Sequence, residues 1–242
     1  MKLKYTLCAL AISAAPFSWA HDHHWSYESP DQWGEINADF ATCKNGQNQS
    51  PIDIRSAVNG QLQPLAVKYN AKQKSIVNNG HTVQINVQDG DDIKVDDETF
   101  TLRQFHFHTP AENMINGESF PLEVHFVHSS AQGGLAVMGV MFKPGAVNPT
   151  LEAILRSVPA KVNEEKRLNK PLDLSSLKPV NKQYYRYSGS LTTPPCTEGV
   201  RWLVMKDAVY ASPAQIASFE KILGEHGNSR PVQTLNGRVI VE

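Results

Sequence analysis

Three histidines of the chain have the residue type and spacing of metal ligands. His106 and His108 alternate with phenylalanines in residues 105–108, and His125 lies in a second alternating run, residues 123–127. Residues two apart in a β-strand point to the same face, so His106 and His108 would share one face while the phenylalanines pack on the other. Imidazole nitrogen suits zinc, so this spacing favours two ligands of one ion.

A turn signal lies between the two runs. Asn116-Gly117 is typical of a tight hairpin, and folding back there would set the strand of His125 antiparallel to the strand of His106 and His108. Three imidazoles could then converge on one zinc ion and leave its fourth position open, as in a catalytic rather than a structural site. A His-x-His pair alone is more often exposed or hydrogen-bonded, so the third histidine carries the prediction.

Two polar residues flank the histidines on the same predicted faces. Gln104 precedes His106 by two positions, and Glu123 precedes His125 by two. A metal-bound imidazole usually donates its second N–H to an acceptor, which fixes the ring. We therefore predict that Gln104 and Glu123 are acceptors for these rings.

Other kinds of chemistry lack the motifs that they need. The chain has no G-x-S-x-G elbow, no G-x-x-x-x-G-K-[ST] loop, no G-x-G-x-x-G turn and no H-E-x-x-H helix. The formal net charge is -1 with acids and bases interspersed, so no basic face is available for nucleic acid. These absences argue against a serine hydrolase, a nucleotide enzyme and a nucleic-acid-binding protein. We expect a small-molecule partner.

Short β-rich runs separated by turns make up most of the chain. The predicted strands are residues 65–69, 82–87, 100–108, 122–127, 135–142 and 200–205, and turns fall at residues 79–80, 89–90, 116–117 and 133–134. Helices are predicted near Pro149–Ser157 and at Pro213–Leu223, the second with Ser212 and Gln215 as a capping box. The pattern indicates a hairpin-connected antiparallel sheet in a single domain, because no linker-like segment divides the chain.

The first twenty residues have the pattern of a secretory signal peptide. Lys2 and Lys4 precede an apolar run over residues 7–15, and Ser18-Trp19-Ala20 offers a small-residue cleavage site. A membrane span takes about 20 apolar residues, and no run in the chain approaches that length. We expect residues 1–20 to be removed on export and residues 21–242 to form one catalytic domain.

The cysteine count changes once residues 1–20 are removed. Cys8 leaves with the signal peptide, and Cys43 and Cys196 remain in an exported protein. An oxidising compartment favours a disulfide between them, whereas the alternative is two unrelated buried thiols. Such a long closed loop would stabilise the fold by about 4 to 5 kcal/mol.

Cleavage after Ala20 would also create a new N-terminus, His21-Asp22-His23. A free amine with histidine as the third residue can hold Cu(II) or Ni(II) in a square-planar nitrogen site. The alternative, which we favour, is a disordered and solvated tail.

Several separated motifs in one order identify a family resemblance. They are His24-Trp25-Ser26-Tyr27, Asn48-Gln49-Ser50-Pro51-Ile52, Asn78-Asn79-Gly80-His81, residues 105–108, Leu122-Glu123-Val124-His125, residues 189–195 and residues 228–233. From about His24 onward the chain resembles an α-class carbonic anhydrase of the exported bacterial type. The resemblance implies a mainly β, single-domain fold, with a large twisted, mostly antiparallel central sheet, short peripheral helices and zinc at the foot of a conical cleft.

The resemblance also implies an activity. The chain would be a zinc-dependent lyase, a carbonate dehydratase, with one zinc ion per chain on His106, His108 and His125. It would hydrate carbon dioxide reversibly to bicarbonate and a proton by zinc-hydroxide attack. Thr192 would orient the hydroxide and pass its own proton toward Glu112.

Further roles follow from the same motif matches. Thr193 would contact bicarbonate, and His81 would be the proton shuttle, which suits an imidazole with an unperturbed pKa of about 6.5. The apolar wall of the carbon dioxide pocket would consist of Val127, Val137, Leu191, Val200 and Trp202. The polar wall would consist of Tyr27, Asn79 and Gln84.

The resemblance bears on partners and location as well. It supports the Cys43–Cys196 disulfide, predicts inhibition by sulfonamides and small anions, and places the protein in the periplasm of a Gram-negative bacterium. It leaves a homodimer open. Asn113 and Gln84 depart from residues common in vertebrate members, which puts the rate and pH profile in doubt. The alternatives are a non-catalytic binding module of the same fold and a zinc esterase.

Overall fold

The fold is described for residues 25–70, 73–224 and 226–242 of a computed structural model. The predicted signal peptide, residues 1–20, and the N-terminal segment His21-Asp22-His23, considered above as a copper or nickel site or a solvated tail, lie outside the described residues. Within the described ranges, no helix has the length and apolar character needed to cross a membrane.

Strands dominate the described chain, as the sequence predicts. In chain order they are β1 (Asp53–Ile54), β2 (Ala66–Lys68), β3 (Gln73–Asn78), β4 (Val83–Val87), β5 (Asp92–Val95), β6 (Glu98–His108), β7 (Met114–Ile115), β8 (Leu122–Ser130), β9 (Leu135–Pro144), β10 (Glu164–Arg167), β11 (Tyr184–Ser190), β12 (Glu198–Met205) and β13 (Val209–Ala211). All six predicted strands are present, with bounds shifted by a few residues at most.

Eleven of the described strands form one sheet. Its main order is β10-β3-β4-β6-β8-β9-β12-β11, with β13 beside β9 and the pair β2-β5 attached to β6. The pairs are antiparallel except that β12 and β13 each run parallel to β9. β1 and β7 form a separate parallel pair. The mainly β, mostly antiparallel architecture is confirmed, and the parallel pairs make the sheet mixed.

Short helices lie around the sheet. They are α1 (Trp33–Ile36), α2 (Thr42–Asn45), α3 (Pro149–Ser157) and α4 (Pro213–Leu223), with 3-10 turns at Pro30–Gln32, Ala38–Phe40 and Leu174–Leu177. The predicted capping box of α4 is present, because Ser212 Oγ accepts from the Gln215 N–H and Gln215 reaches back to the Ser212 N–H. α1 and α2 are single turns with no periodic sequence signal.

The alternation of β6 and β8 separates a packed core from a face that carries the histidines. Phe105 and Phe107 of β6 and Phe126 of β8 are fully buried in the main core. His106, His108 and His125 point to the other face, which we call the histidine face. Residues two apart lie on one side of a strand, so this division follows directly from the sequence.

A register shift in β6 is needed for that division. Phe100 and Leu102 pack in the main core, and so do Phe105 and Phe107, so the core-facing positions change from even to odd numbers. The change falls where the pairing of β6 with β8 shifts, between Leu102 and Gln104. An extra residue at a β-bulge moves the following side chains to the opposite face. The bulge at Arg103 therefore turns the histidines away from the core.

The predicted turn is present, in a longer connection than expected. Asn116 and Gly117 have φ angles of 52° and 80° and join Ile115 to Glu118, which is the geometry that an Asn-Gly turn favours. This turn follows β7 and does not join β6 to β8 directly. The two strands are nevertheless antiparallel, with His106 directly opposite His125.

Two cross-strand rows of side chains lie on the histidine face between β10 and β8. The first row contains Glu165, Val77, Gln84, His106 and His125, from β10 to β8. The second row contains Arg167, Ser75, Asn86, Gln104 and Val127. Side chains opposite each other in neighbouring strands lie about 5 Å apart, so each row is a line of direct neighbours.

Candidate metal centre

The three histidines converge on one point, as the spacing predicts. Each of His106, His108 and His125 offers one ring nitrogen, and these three atoms lie within 4.8 Å of one another. The ring centroids of His108 and His125 are 4.5 Å apart, and those of His106 and His108 are 5.0 Å apart. Nitrogen ligands bound to one tetrahedral zinc ion at about 2.0 Å are in van der Waals contact with one another, so only a small closing movement is needed.

The second nitrogen of each ring faces an acceptor. His106 Nδ1 lies 2.8 Å from Gln104 Oε1. His125 Nε2 lies 2.9 Å from Glu123 Oε1, at hydrogen-bond distance although not in good alignment. Gln104 and Glu123 are therefore each beside the histidine ring for which they were predicted as acceptors. This pattern leaves Nε2 of His106 and Nδ1 of His125 for a metal ion.

The acceptor for His108 is one that the sequence analysis missed. His108 Nδ1 lies 2.8 Å from the main-chain oxygen of Asn228. The Asn228 side chain holds this position, because its amide donates to the main-chain oxygens of His81 and Phe107 and its oxygen accepts from the Thr109 N–H. A main-chain acceptor about 120 positions away leaves no side-chain pattern, and only the family resemblance at residues 228–233 marked the segment.

The donor set fits a zinc ion. His108 Nε2 is buried and has no hydrogen-bond partner among the described residues, an arrangement that is costly unless a ligand occupies it. Burial lowers the pKa of His106 and of His108, and the two neighbouring histidines lower that of His106 further. Neutral imidazole is the form that binds a metal ion. Three imidazole nitrogens suit a borderline ion such as zinc.

Glu123 is held in place by three donors. Its Oε2 accepts from the N–H groups of Glu112 and Asn113, and its Oε1 accepts from the Asn113 amide at 2.9 Å. Burial raises the pKa of Glu123, but the His125 ring and the Asn113 donors outweigh burial and hold it below the usual range. Asn113 therefore holds both carboxylate oxygens of Glu123, one through its main-chain N–H and the other through its side-chain amide.

Gly139 provides the space that Glu123 occupies. It lies on β9 opposite His125, and a Cβ atom at this position would be 2.8 Å from Glu123 Oε1. Atoms do not approach so closely without a shift, and Glu123 is fully buried among its donors. The absence of a side chain at Gly139 is therefore part of the support for His125.

We predict that Gly139→Ala weakens zinc binding without unfolding the protein. The new methyl group would displace Glu123 Oε1 from both His125 and Asn113, and loss of such support typically lowers metal affinity about 10- to 100-fold. Competition for zinc with a chelator of known affinity measures the change. Met138→Leu, a volume-conserving change on the same strand that faces the main core, is the control. Equal zinc affinity of Gly139→Ala and the unsubstituted protein would contradict this role of Gly139.

Glu112 lies beside the histidines and is fully enclosed. Its Oε1 is 3.5 Å from His108 Nδ1 and its Oε2 is 3.8 Å from His125 Nδ1. Burial raises the pKa of Glu112 to about 7. His125, the Arg230 N–H and the Thr192 side chain each lower this pKa, but burial has the larger effect. The buried Thr192 side chain is thus one of the hydrogen-bonding groups around this carboxyl group.

The loop that carries Thr192 and Thr193 is fixed at both ends. The Leu191 N–H donates to the Thr197 oxygen at 2.9 Å, and the Cys196 N–H donates to the Thr193 oxygen at 2.8 Å. Cys196 is bonded to Cys43 in the predicted disulfide, with a Cα–Cα distance of 5.0 Å. The disulfide therefore lies at the base of the Thr192 turn.

Arg230 connects the disulfide to Glu112. Its Nη2 donates to the Cys43 main-chain oxygen at 2.9 Å, and its own main-chain N–H donates to Glu112 Oε1 at 2.9 Å. Its Nη1 donates to Gln49 Oε1 and to the Ser50 oxygen. Arg230 was not among the predicted site residues, because a buried arginine bound to distant oxygen atoms has no local signature in sequence.

The predicted apolar wall is assembled on one side of the histidines. Val127 lies opposite Val137, and Val137 lies opposite Trp202. The Trp202 ring is 4.9 Å from the His125 ring, nearly perpendicular to it, and Trp202 Nε1 donates to the Ser190 oxygen. Val200 and Leu191 belong to the same cluster. All five predicted residues of this wall therefore belong to one apolar cluster or pack against it, and Trp202 brings that cluster into contact with His125.

The predicted polar residues lie on the opposite side. Gln84 is the cross-strand neighbour of His106. His81 stacks on Trp25 with ring centroids 3.9 Å apart, and its ring centroid is 6.4 Å from that of Tyr27. Asn79 holds the turn before β4, because its Oδ1 accepts from the N–H groups of residues 81 and 82. Burial, together with the charge of Glu112, raises the pKa of Tyr27 well above its usual value.

Comparison with known proteins agrees with this geometry. The family model described as eukaryotic-type carbonic anhydrase matches residues 28–242. A carbonic anhydrase of Pectobacterium carotovorum is 47% identical over 245 residues, covering 100% of both chains, and one of Neisseria gonorrhoeae is 43% identical, covering 98% of this chain and 94% of its own.

Solved structures give the same result. The alpha-carbonic anhydrase of Thermovibrio ammonificans, in complex with the inhibitor sulfanilamide, superposes with a TM-score of 0.87 at 45% identity and covers 90% of this chain and 99% of its own. Sequence and fold therefore agree over nearly the whole described chain. The chain belongs to the eukaryotic-type, or alpha, carbonic anhydrase family of carbonate dehydratases.

Proposed function

We propose that this protein hydrates carbon dioxide reversibly to bicarbonate and a proton, using one zinc ion held by His106, His108 and His125. The convergence of three imidazoles, with the buried Nε2 of His108 left without a partner among the described residues, carries the proposal. A bound zinc ion would act as a Lewis acid and lower the pKa of a coordinated water. That pKa is about 7 in carbonic anhydrases in general, and this value is taken from the family.

Thr192 and Glu112 would orient the attacking oxygen. A hydroxyl group has only one hydrogen, so a Thr192 that donates to the Glu112 carboxylate can only accept a hydrogen bond from the nucleophile. Glu112 is kept in position by the Arg230 N–H, so the direction of the whole chain of hydrogen bonds is set by the protein. Thr193, next in the same turn, would contact bicarbonate.

The apolar wall would hold carbon dioxide near the nucleophile. Carbon dioxide carries no net charge and hydrogen-bonds weakly, so an apolar surface binds it without the cost of stripping water from polar groups. Val127, Val137 and Trp202 form such a surface beside His125, with Leu191 and Val200 completing it. Bicarbonate is charged and interacts poorly with this wall, which favours its release.

His81 would carry the proton away from the site to solvent. It lies at a turn on the polar side, and its ring rests on Trp25 rather than in the packed core. An imidazole exchanges protons readily near neutral pH because its unperturbed pKa is about 6.5. Water held by Gln84, Asn79 and Tyr27 would connect the ring to the reacting oxygen.

We predict that His81→Ala keeps its zinc and loses proton transfer. The variant should show a kcat at least about tenfold lower in weak buffer, because a positioned acid–base group is removed. Its kcat/KM for carbon dioxide should change little, since the apolar wall and the metal centre are intact. Added imidazole should restore kcat, whereas His226→Ala, which removes an exposed histidine elsewhere, should have no effect. A normal kcat in His81→Ala at low buffer concentration would exclude His81 as the shuttle.

A comparison of two reactions tests the proposed function directly. Stopped-flow carbon dioxide hydration and hydrolysis of a small activated ester are measured on one zinc-analysed preparation. The proposal expects hydration to be much the faster reaction and to disappear with the metal. Ester hydrolysis without hydration would indicate an esterase, and neither reaction with zinc fully bound would indicate a binding module.

We also propose that the protein acts after export, in the periplasm of a Gram-negative bacterium. The Cys43–Cys196 disulfide supports an oxidising compartment, and its closed loop of about 150 residues would stabilise the fold by about 5 kcal/mol. Inhibition by sulfonamides is proposed from the sulfanilamide complex of the Thermovibrio ammonificans protein, and inhibition by small anions stays a prediction from the family resemblance. Cell fractionation with a cytoplasmic marker tests the location.

A further inference from the structure

We propose that Glu165 is a positioning residue: through Asn86 it fixes the Gln84 side chain so that the Gln84 carbonyl oxygen is offered to water beside His106. The residue lies on the edge strand β10, three strands away from the histidines. It belongs to the same cross-strand row as Gln84 and His106. The inference extends the proposed function and rests on it for its catalytic consequence.

A continuous line of hydrogen bonds links Glu165 to Gln84. Asn86 Nδ2 donates to Glu165 Oε1 at 3.2 Å and to Ser75 Oγ at 3.1 Å. The Ser75 hydroxyl donates to the same Glu165 oxygen. Gln84 Nε2 in turn donates to Asn86 Oδ1 at 2.7 Å. Four side chains of three neighbouring strands thus form one polar network on the histidine face.

The donor and acceptor types allow only one direction along this line. An ionised carboxylate accepts and never donates, so Glu165 requires the NH2 group of Asn86 to face it. The hydrogen bonds from Ser75 and Asn86 hold the pKa of Glu165 below its usual value, which keeps it ionised at neutral pH. Asn86 must then present its side-chain oxygen to Gln84, and the NH2 group of Gln84 donates to that oxygen.

Gln84 is consequently left with a free acceptor next to the metal centre. Its Oε1 receives no hydrogen bond from any of the described residues, and its cross-strand neighbour is His106. A water molecule there would donate to Gln84 Oε1 and keep its own lone pairs for a proton arriving from the reacting oxygen. An unanchored amide could rotate and offer either group, so proton transfer toward His81 would slow.

The test uses substitutions at Glu165 with matched controls. Glu165→Ala removes the acceptor, Glu165→Gln keeps an acceptor oxygen but removes the charge, and Glu164→Ala changes the adjacent glutamate on the same strand. Each is measured as the zinc-loaded protein in weak buffer, alone and combined with Gln84→Ala. The side-chain amide signal of Gln84 is followed by ¹H–¹⁵N NMR in the same variants.

The proposal expects kcat of Glu165→Ala to fall about three- to tenfold, the effect of about one hydrogen bond, with kcat/KM unchanged. Glu165→Gln and Glu164→Ala should retain most of kcat, and Glu165→Ala should have no further effect in a Gln84→Ala background. The Gln84 amide signal should shift toward the position of a free glutamine in Glu165→Ala alone.

Three results would overturn the proposal. They are an unchanged kcat and Gln84 signal in Glu165→Ala, an effect of Glu165→Ala that persists without Gln84, and a loss in Glu165→Gln equal to that in Glu165→Ala. An inactive unsubstituted protein would refute the proposed function instead. In that case the NMR comparison still decides whether Glu165 anchors Gln84.

Discussion

His106→Ala should yield a folded protein that retains no zinc after dialysis and has no measurable carbon dioxide hydration above the uncatalysed rate. Removal of one of three imidazoles leaves too few protein nitrogens to hold the ion against water. Without the metal, the pKa of water stays far above neutral, so almost no water is ionised at pH 7, compared with about half at a pKa near 7. The measurements are zinc per chain by elemental analysis and initial hydration rate.

The fold of this variant should persist. His106 lies on the histidine face and contributes nothing to the main core, where Phe105 and Phe107 pack behind it. Circular dichroism is expected to match that of the unsubstituted protein, and His226→Ala serves as the control for the loss of a histidine outside the cluster. Zinc retained at one ion per chain in His106→Ala would show that the ligand set is wrongly assigned.

Thr192→Ala should keep zinc and lose most of its activity. The substitution removes the hydroxyl that would accept from the nucleophile and donate to Glu112, so the nucleophile would no longer be held toward carbon dioxide. Loss of one aligned hydrogen bond in a water-excluded site typically lowers the rate about 10²- to 10³-fold. We expect the loss in kcat/KM for carbon dioxide, with zinc content and thermal stability nearly unchanged.

Two controls separate orientation from disruption of the loop. Thr192→Ser keeps the hydroxyl and should recover most of the activity. Thr197→Ala changes an exposed side chain of the same loop, whose contribution to the turn is its main-chain oxygen, and should be close to normal. The orientation role would be refuted if Thr192→Ala retained normal kcat/KM, or if Thr192→Ser were as impaired as Thr192→Ala.

The metal centre was predictable because its ligands are encoded locally. Strand alternation alone puts His106 and His108 on one face, and a fold-back before residue 122 brings His125 opposite them. The acceptors Gln104 and Glu123 obey the same two-residue spacing from the rings that they serve. Patterns of this kind depend only on backbone geometry within one strand, so they can be recognised in the sequence without knowledge of the rest of the fold.

The supports from distant segments were not predictable in the same way. The main-chain oxygen of Asn228 serves His108, and the main-chain N–H of Arg230 serves Glu112. Main-chain N–H and C=O groups are present at almost every position, so the residue type at positions 228 and 230 does not indicate that these contacts form. Gly139 acts through the side chain that it lacks, and a single glycine in an apolar run has no specific meaning in sequence.

The bulge in β6 was not predicted, although the faces of His106 and His108 were predicted correctly. Alternation over residues 104–108 is correct, but the alternation over residues 100–108 is not continuous. Leu102 and Gln104 both have even numbers and point to opposite faces, because the extra residue between them changes the parity. The shift is visible in the sequence as a change of the apolar positions from Phe100 and Leu102 to Phe105 and Phe107, but the predicted strand over residues 100–108 did not include a bulge.

In the proposed mechanism, the division of the histidine face would keep carbon dioxide binding apart from proton release. Val127, Val137 and Trp202 lie on one side of the histidines, and Gln84 and Asn86 lie on the other, each at a defined register position. Carbon dioxide would meet only the first side and the departing proton only the second. Substitutions on the two sides should therefore affect kcat/KM and kcat separately.

The most direct test of the central claim is a zinc titration of the metal-free protein followed by stopped-flow carbon dioxide hydration. We expect activity to rise in proportion to zinc and to reach a plateau at one ion per chain. His106→Ala should show no rise over the same range. A protein that binds one zinc ion per chain and yet hydrates carbon dioxide no faster than buffer would contradict the proposed function.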